Sequence, residues 1–212
     1  MNNTDSDAEP TRLERLWSGE FGDAYVDRNL GSYATRQPFW QTMIDQLAPL
    51  RVLEVGCNVG GNLRWIAPQL APGNTYGVDI NRKALSALRE ALPDVNALYS
   101  PARELPFRDN WFDLVLTMGV LIHQPESSLH DVMTEMARCS SRFILCGEYF
   151  APETTPVPYR GVPGSLFKRD YGKDFMQAVP DLSLVSTGFL GSDEGWDDVT
   201  WWLFEKPGLP AE

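Results

Sequence analysis

The middle of the chain repeats one pattern, a short apolar run followed by an amphipathic stretch. RVLEVG (51–56) ends in glycine and is typical of a strand buried on both faces. GGNLRWIAPQL (60–70) places apolar residues at helical spacing, and TYGVDI (75–80) with NRKALSALREAL (81–92) repeats the same pair of elements. The pattern therefore predicts successive strand–helix units.

The same pattern extends to the end of the chain. It predicts further strands at 96–100, within 112–122, and at 142–150, 182–190 and 198–206, and further helices at 127–139 and 168–179. Together these elements predict an α/β fold: a Rossmann-like, doubly wound sheet of seven strands, the last two an antiparallel pair, with helices on both faces. Ligands bind such sheets at the carboxyl ends of the strands, so we expect the chemistry just after Val55, Ile80, Ser100, Met118 and Glu148.

The segment before the first strand has a different pattern. Residues 1–11 are polar and predict a disordered tail, residues 12–47 predict a helical cap, and residues 48–212 predict the core domain. The cap segment is rich in aromatic residues: Trp17, Phe21, Tyr25 and Trp40. Two interpretations are open for them, a lid that excludes water from a site or helices packed on the sheet.

Composition narrows the class of protein. The 212 residues are 43% hydrophobic, enough for the core of one domain. Eighteen basic against 29 acidic residues give a net charge of −11, which argues against nucleic acid and anionic membranes as partners. No apolar run reaches the roughly 20 residues of a membrane span, and the N-terminus does not resemble a signal peptide. We therefore expect a cytoplasmic protein, monomer or homodimer, with a small-molecule substrate.

Metal binding is not expected. Three cysteines (Cys57, Cys139 and Cys146) and two histidines lack metal-ligand spacing. The acids are concentrated between Asp181 and Glu212, where seven of them accompany one base. Two interpretations are open for this segment, a solvated surface or a site that attracts a cation.

The strongest local motif is a glycine-containing turn at the end of the first predicted strand. It reads Leu53-Glu54-Val55-Gly56-Cys57-Asn58-Val59-Gly60-Gly61, and Asp79 ends the next strand 23 residues after Gly56. A carboxylate there can accept hydrogen bonds from both ribose hydroxyls of an adenosine moiety. An NAD-dependent oxidoreductase and a non-catalytic cofactor-binding protein both remain alternatives at this point.

The motif resembles that of class I S-adenosylmethionine-dependent methyltransferases, whose first motif runs acid-x-G-x-G-x-G. Asn58 replaces the second glycine, and asparagine tolerates the left-handed backbone of such a turn. The segment 102–113 is also similar to the family, with Ser100-Pro101 in place of its adenine-binding acid. The resemblance implies S-adenosyl-L-methionine as cofactor, Glu54 near its amine and Asp79 on its ribose. It assigns cofactor contacts to Glu54, Gly56, Asn58, Gly60, Asp79, Ile80, Ala102, Met118, Gly119, Tyr25 and Arg28.

A narrower resemblance covers nearly the whole chain. The segments 16–25, 117–123, 148–150, 157–161, 166–170 and 198–202 are similar to methylases associated with pseudaminic acid biosynthesis. This resemblance implies a sugar-like acid as acceptor.

The acceptor atom is open between nitrogen and oxygen. Candidate catalytic residues are His123, Glu148 and Tyr149, and candidate substrate-binding residues are Tyr159, Arg160, Lys168, Arg169, Asp197 and Asp198. The charge balance favours N-methylation of an amine or guanidino group, oriented by Glu148 and neutralised by the acids of 193–198. The alternative is O-methylation of a sugar or nonulosonic acid, with His123 as base. The nitrogen version requires Glu148 to point into the cofactor pocket.

Overall fold

The computed structural model describes residues 8–31 and 34–208 and contains one large sheet of seven strands. Its strands are β1 (Val52–Val55), β2 (Thr75–Asp79), β3 (Asn96–Tyr99), β4 (Phe112–Met118), β5 (Ser140–Glu148), β8 (Ser183–Leu190) and β9 (Val199–Glu205); β6 (Thr155–Pro156) and β7 (Phe167–Lys168) form a separate two-stranded sheet. The strand order is β3-β2-β1-β4-β5-β9-β8. The first five strands are parallel, and β9 runs antiparallel to both β5 and β8. The predicted Rossmann-like sheet is confirmed.

Helices cover both faces of this sheet. They are α1 (Ala8–Ser18), α2 (Glu20–Arg28), α3 (Gln37–Leu47), α4 (Leu63–Ile66), α5 (Arg82–Ala91), α6 (Glu126–Cys139) and α7 (Tyr171–Ala178). Alternate residues of a strand point to opposite faces, so β1 supplies Val52 to the core under α3 to α5 and Leu53 to the core under α6 and α7. This double burial explains why the strands read as continuous apolar runs.

The N-terminal segment divides into two parts with different packing. Trp40 of α3 is fully buried in the core beneath the sheet, so for this residue the packing interpretation is correct. Helices α1 and α2 instead contact each other, α5 and α6 near the carboxyl ends of the strands. We call α1 and α2 the cap.

The predicted disordered tail is wrong for residues 8–11, which form the first turn of α1. Glu9 accepts two hydrogen bonds from Arg12 one turn later, and Pro10 is buried. An acid and a proline suit the first turn of a helix because the first amide groups have no intrahelical partner. The rest of the predicted tail lies outside the described residues. None of the described helices is long and apolar enough to cross a membrane.

Candidate active site

A cavity of about 500 Å³ opens at the carboxyl ends of the strands, between the sheet and the cap. Its walls include Val55 at the end of β1, Ile80 after β2, Met118 at the end of β4 and Trp17 from α1. Of the residues expected from the sequence, Tyr25, Arg28, Glu54, Gly56, Asn58, Asp79, Ile80, Ala102, Met118, Gly119, His123, Tyr149, Tyr159, Arg160 and Asp197 line this cavity. Gly60, Glu148, Lys168, Arg169 and Asp198 do not.

The turn after β1 brings the backbone close to the cavity. Gly56 has a φ of +75°, and a Cβ there would lie 2.3 Å from a methyl group of Val120. Asn58 follows in the left-handed region, at φ +46°. Gly60 also has a positive φ, but it packs against Leu88 and Leu92 on the other side of the turn. The predicted cofactor contact at Gly60 is therefore wrong, because this glycine allows helix packing instead.

Asp79 sits at the end of β2 and organises the turns on both sides of it. Its Oδ2 accepts the backbone N–H of Asn58 at 2.8 Å, and its Oδ1 accepts that of Asn81 at 2.8 Å. Burial raises the pKa of Asp79, whereas these backbone hydrogen bonds act to lower it. A carboxylate oxygen has two lone pairs, so each oxygen retains capacity for one ribose hydroxyl.

Glu54 is almost completely buried and carries an unsatisfied acceptor. Its Oε1 accepts Nδ2 of Asn62 at 2.6 Å, whereas its Oε2 is buried and has no hydrogen-bond partner among the described residues. Burial raises the pKa of Glu54 to about 8, against the lowering effects of Asn62 and Arg36. An ammonium group beside Oε2 would supply the missing donor and favour the ionised carboxylate. The site therefore fits the amine of S-adenosylmethionine.

Two residues that support Glu54 were not expected from the sequence. Oδ1 of Asn62 accepts Nε1 of Trp40 at 3.2 Å and Nη1 of Arg36 at 3.3 Å, and both Arg36 and Asn62 line the cavity. Asn62 lies eight residues after Glu54, and this closeness to the glycine turn was the available signal. Arg36 reaches the site through tertiary folding, and no local pattern marks it.

His123, Trp17 and Tyr159 form one part of the cavity wall, which we call the acceptor end, and there His123 is held as a neutral imidazole. Its Nδ1 lies 2.6 Å from the carbonyl oxygen of Ser165, which can only accept, so Nδ1 carries the proton and Nε2 is an acceptor. Burial lowers the pKa of His123 to about 4, so the imidazole is neutral at physiological pH. The unprotonated Nε2 can accept a proton, whereas the same burial weakens the imidazole as a base because it disfavours the charged form.

Aromatic side chains connect the cap to His123. The ring of Trp17 lies 4.3 Å from the ring of His123, measured between centroids, and 5.3 Å from that of Tyr25. Tyr159 completes the group at 5.3 Å from His123, and Phe21 packs on Trp17 at 5.2 Å. Because Trp17 and Tyr25 line the cavity, the lid interpretation fits these two cap residues, and Tyr159 lines the cavity from outside the cap.

The predicted catalytic role of Glu148 is wrong. Glu148 is fully buried beneath the turn after β4, where its carboxylate accepts the backbone N–H groups of Val120, Leu121 and Ile122 at 3.0 to 3.2 Å. Burial raises its pKa to about 7, while the backbone hydrogen bonds act to lower it. Glu148 ends β5 as expected, but its side chain turns toward the neighbouring backbone. The nitrogen version that relied on Glu148 loses its support.

Two predicted basic substrate ligands lie elsewhere. Arg169 is 4% exposed, pairs with Glu126 and donates to Oγ1 of Thr154 at 3.3 Å. Its charge is therefore already paired within the fold. Lys168 lies in β7, with Nζ 5.7 Å from the ring centroid of Tyr149. The predicted substrate contact of Arg169 is therefore wrong, whereas that of Lys168, which lies beside Tyr149 but outside the cavity lining, stays a prediction.

The acids of residues 193–198 include one that lines the cavity and others that bond to the backbone. Asp197 lines the cavity, whereas Asp198 accepts the backbone N–H of Ser192 at 2.9 Å and Glu194 accepts that of Gly191 at 3.3 Å. The predicted substrate contact of Asp198 is wrong, because its carboxylate shapes the turn. Asp197 is the acid of this turn that can act on a bound molecule.

Known proteins resemble the chain in sequence and in fold. Residues 52–141 match the family model described as "Methyltransferase domain". Phthiotriol/phenolphthiotriol dimycocerosates methyltransferase 1 of Mycobacterium ulcerans is 37% identical over 73 residues, which are 34% of this chain and 27% of that protein. The chain spans about a third of the length of the curated relatives it matches.

Solved structures share the whole fold at low sequence identity. Magnesium protoporphyrin IX methyltransferase from Synechocystis PCC 6803 with bound SAH superposes with a TM-score of 0.70 at 16% identity, covering 93% of this chain and 100% of that one. The 1,6-didemethyltoxoflavin-N1-methyltransferase of Burkholderia thailandensis, with bound S-adenosylhomocysteine, gives 0.67 at 13% identity, covering 97% and 91%.

The glycine turn, Asp79 and these matches define the class of protein. Residues 52–141 match a methyltransferase domain, the chain has the fold of methyltransferases solved with S-adenosylmethionine or its demethylated product, and S-adenosylmethionine is the cofactor of that class. These relatives favour a methyltransferase over the NAD-dependent oxidoreductase that the glycine turn alone left open.

Proposed function

We propose that this domain transfers a methyl group from S-adenosylmethionine to a hydroxyl group of a small polar acceptor, with His123 as the general base. The carrying observation is the hydrogen bond from Nδ1 of His123 to the Ser165 carbonyl, which directs the basic Nε2 away from that contact. S-adenosylmethionine, when bound, supplies a methyl group activated by a sulfonium. His123 takes the hydroxyl proton, while the cap excludes water and holds the acceptor in line.

The lining of the acceptor end supports a ring-shaped acid as acceptor. Trp17 and Tyr159 offer flat apolar faces to the C–H groups of a ring. Arg160 lines the same cavity, and its guanidinium can pair with a carboxylate through two parallel hydrogen bonds. This combination agrees with the resemblance to pseudaminic acid-associated methylases and with O-methylation of a sugar or nonulosonic acid. Helices α1 and α2 serve as the cap in this proposal.

A nitrogen acceptor is the second candidate, and Asp197 is the observation that favours it. Asp197 lines the cavity, where it can orient an amine or guanidino group in the role first given to Glu148. Tyr149 does not replace His123 as base, because burial and nearby acids raise its pKa to about 12. The acceptors of the structural relatives range from a porphyrin to a toxoflavin precursor, so they leave the acceptor of this domain open.

The test is methyl transfer from isotope-labelled cofactor to a panel of hydroxy acids, sugar acids, amines and guanidines, read by mass. We expect an O-methylated hydroxy acid, and a kcat about 100-fold lower in His123→Gln with little change in S-adenosylhomocysteine affinity. His130→Gln is the matched control, since His130 is exposed on α6.

Other outcomes decide between the versions. An N-methylated product that is lost in Asp197→Asn would replace the oxygen version by the nitrogen one. An O-methylated product formed at the wild-type rate by His123→Gln would remove His123 as base.

A further inference from the structure

Asn81, between β2 and α5, contacts three parts of the molecule and is 4% exposed. Its backbone N–H donates to Oδ1 of Asp79 at 2.8 Å, and its side-chain Oδ1 accepts the N–H of Ala84 at 2.8 Å as the N-cap of α5. Its Nδ2 donates to the carbonyl of Trp17 at 3.1 Å and to Oδ1 of Asp23 at 2.9 Å. One residue thus touches the ribose-binding carboxylate and both helices of the cap.

Trp17 connects Asn81 to the acceptor end of the cavity. Its carbonyl oxygen meets Asn81, and its indole lies over His123. The backbone is tightly fitted at this point, because a Cβ on Gly22 would lie 1.7 Å from the Trp17 carbonyl oxygen and 2.8 Å from Nδ2 of Asn81. A displacement of Asn81 therefore moves Trp17 rather than being absorbed by loose packing.

Other contacts hold the cap without reaching the cofactor acid. Asp27 pairs with Lys83 at 2.6 Å, Glu14 pairs with Arg103 at 2.7 Å, and Arg12 donates to the Gly164 carbonyl at 3.1 Å. The Asp27–Lys83 pair is about half exposed, and such pairs contribute little to stability. These contacts keep the cap near the core, whereas Asn81 joins it to Asp79.

We propose that Asn81 is a positioning residue that couples cofactor binding at Asp79 to the seating of Trp17 over the acceptor pocket. The proposal rests on the proposed function, since it takes Asp79 as the ribose ligand and His123 as part of the acceptor site. Coupling between two sites is reciprocal. Occupation of the cofactor site therefore stabilises the seated cap, and a loosened cap weakens cofactor binding.

The experiment measures S-adenosylhomocysteine affinity by calorimetry and the rate of tryptic cleavage in the cap, at Arg12, Arg15 and Arg28, with and without this ligand. Asn81→Ser keeps an oxygen that can cap α5 but loses both donors to the cap. We expect the ligand to slow cap cleavage in the wild type about fivefold or more. In Asn81→Ser this protection disappears and the Kd rises about three- to tenfold.

A second variant of Asn81, tested with and without a compensating change at Asp23, separates the coupling of cofactor site and cap from general damage to the fold. Asn81→Asp also keeps the N-cap oxygen but faces the Trp17 carbonyl and the Asp23 carboxylate, so we expect a larger loss than in Asn81→Ser. Adding Asp23→Asn supplies an amide donor to the new carboxylate and restores part of the affinity and of the protection. Lys83→Met, which removes a cap contact outside this connection, is the control and keeps both values near those of the wild type.

The outcomes distinguish the two proposals. Wild-type affinity and full protection in Asn81→Ser would overturn the coupling while leaving the proposed function in place. The coupling also fails if Lys83→Met loses protection to the same degree as Asn81→Ser. A wild-type protein that does not bind S-adenosylhomocysteine would overturn the proposed function and the coupling together.

Discussion

The cofactor end and the acceptor end of the cavity are built in different ways. At the cofactor end, Asp79 is bound by backbone groups of Asn58 and Asn81, within 21 residues along the chain. At the acceptor end, His123 meets Trp17 from α1 and Ser165 from the segment before β7. Residues close in sequence thus surround Asp79 at the cofactor end, whereas residues from distant parts of the chain surround His123 at the acceptor end.

The two ends also differ in what holds them. The buried carboxylate of Glu54, the half-buried carboxylate of Asp79 and backbone hydrogen bonds hold the cofactor end, whereas aromatic contacts and an exposed loop hold much of the acceptor end. Arg160 is exposed and has a φ of +47°, which is unfavourable for an arginine. Substitutions at the cofactor end should therefore be more damaging than substitutions at the rim of the acceptor end.

The largest effect is expected at Asp79. Asp79→Ala removes the proposed ribose acceptor and leaves the N–H groups of Asn58 and Asn81 without their partner. We expect S-adenosylhomocysteine affinity to fall by about 100-fold or more in calorimetry. Asp94→Asn, an exposed acid beyond α5, is the control. A change of less than threefold in Asp79→Ala would contradict the assignment of this end.

Glu148 lies where the two ends meet and should act on stability. In Glu148→Gln a single amide oxygen replaces two carboxylate oxygens, so one of the three backbone donors of the 120–122 turn loses its acceptor. We expect the free energy of unfolding at pH 7.5 to fall by about 2 kcal/mol in urea titrations. Exposed Glu153→Gln should leave it unchanged. Equal stability of both variants would refute the supporting role of Glu148.

Glu54 predicts a pH dependence of stability in the ligand-free protein. The folded state keeps the Glu54 proton up to a pKa of about 8, whereas a glutamate in the unfolded chain releases it near the usual 4.5. Between these values the folded state binds more protons, so the free energy of unfolding falls as pH rises. From pH 6 to 8 we expect the wild type to lose about 2 kcal/mol more than Glu54→Gln. Parallel pH profiles of the two proteins would rule this out.

The smallest effect is expected at Arg160, on the rim of the acceptor end. With the acceptor identified by the panel, Arg160→Gln should raise KM about fivefold, equal to about 1 kcal/mol, because an exposed charge pair is weak. The affinity for S-adenosylhomocysteine should not change. Arg142→Gln, on an exposed arginine paired with Glu205, is the control. A loss of S-adenosylhomocysteine affinity in Arg160→Gln would contradict the division of the cavity into a cofactor end and an acceptor end.

The sequence analysis succeeded where the signal is local. Apolar runs predicted the seven strands, because a strand buried on both faces needs a continuous apolar segment. The glycine turn and Asp79 predicted the cofactor end, because the backbone turn and the strand end lie close in sequence. Gly60 was assigned to the same end incorrectly, since its positive φ serves contact with α5 rather than with the cavity.

Local pattern did not determine the direction of individual side chains. Glu148 and Arg169 sit beside the predicted site in sequence, but backbone amides and Glu126 take up their charges in the fold. Arg36 was not identified because only a tertiary contact brings it to Asn62, whereas Asn62 was missed although it lies eight residues after Glu54.

The sequence by itself determined the sheet and the cofactor turn of this protein, because the period of apolar residues and the backbone needs of a tight turn are recorded over a few neighbouring residues. Tertiary structure alone decided which nitrogen of His123 is left unprotonated, which acids face the cavity and how Trp17 reaches both Asn81 and His123. These features depend on contacts between residues that are tens to more than a hundred positions apart, and such contacts leave no periodic trace in the chain.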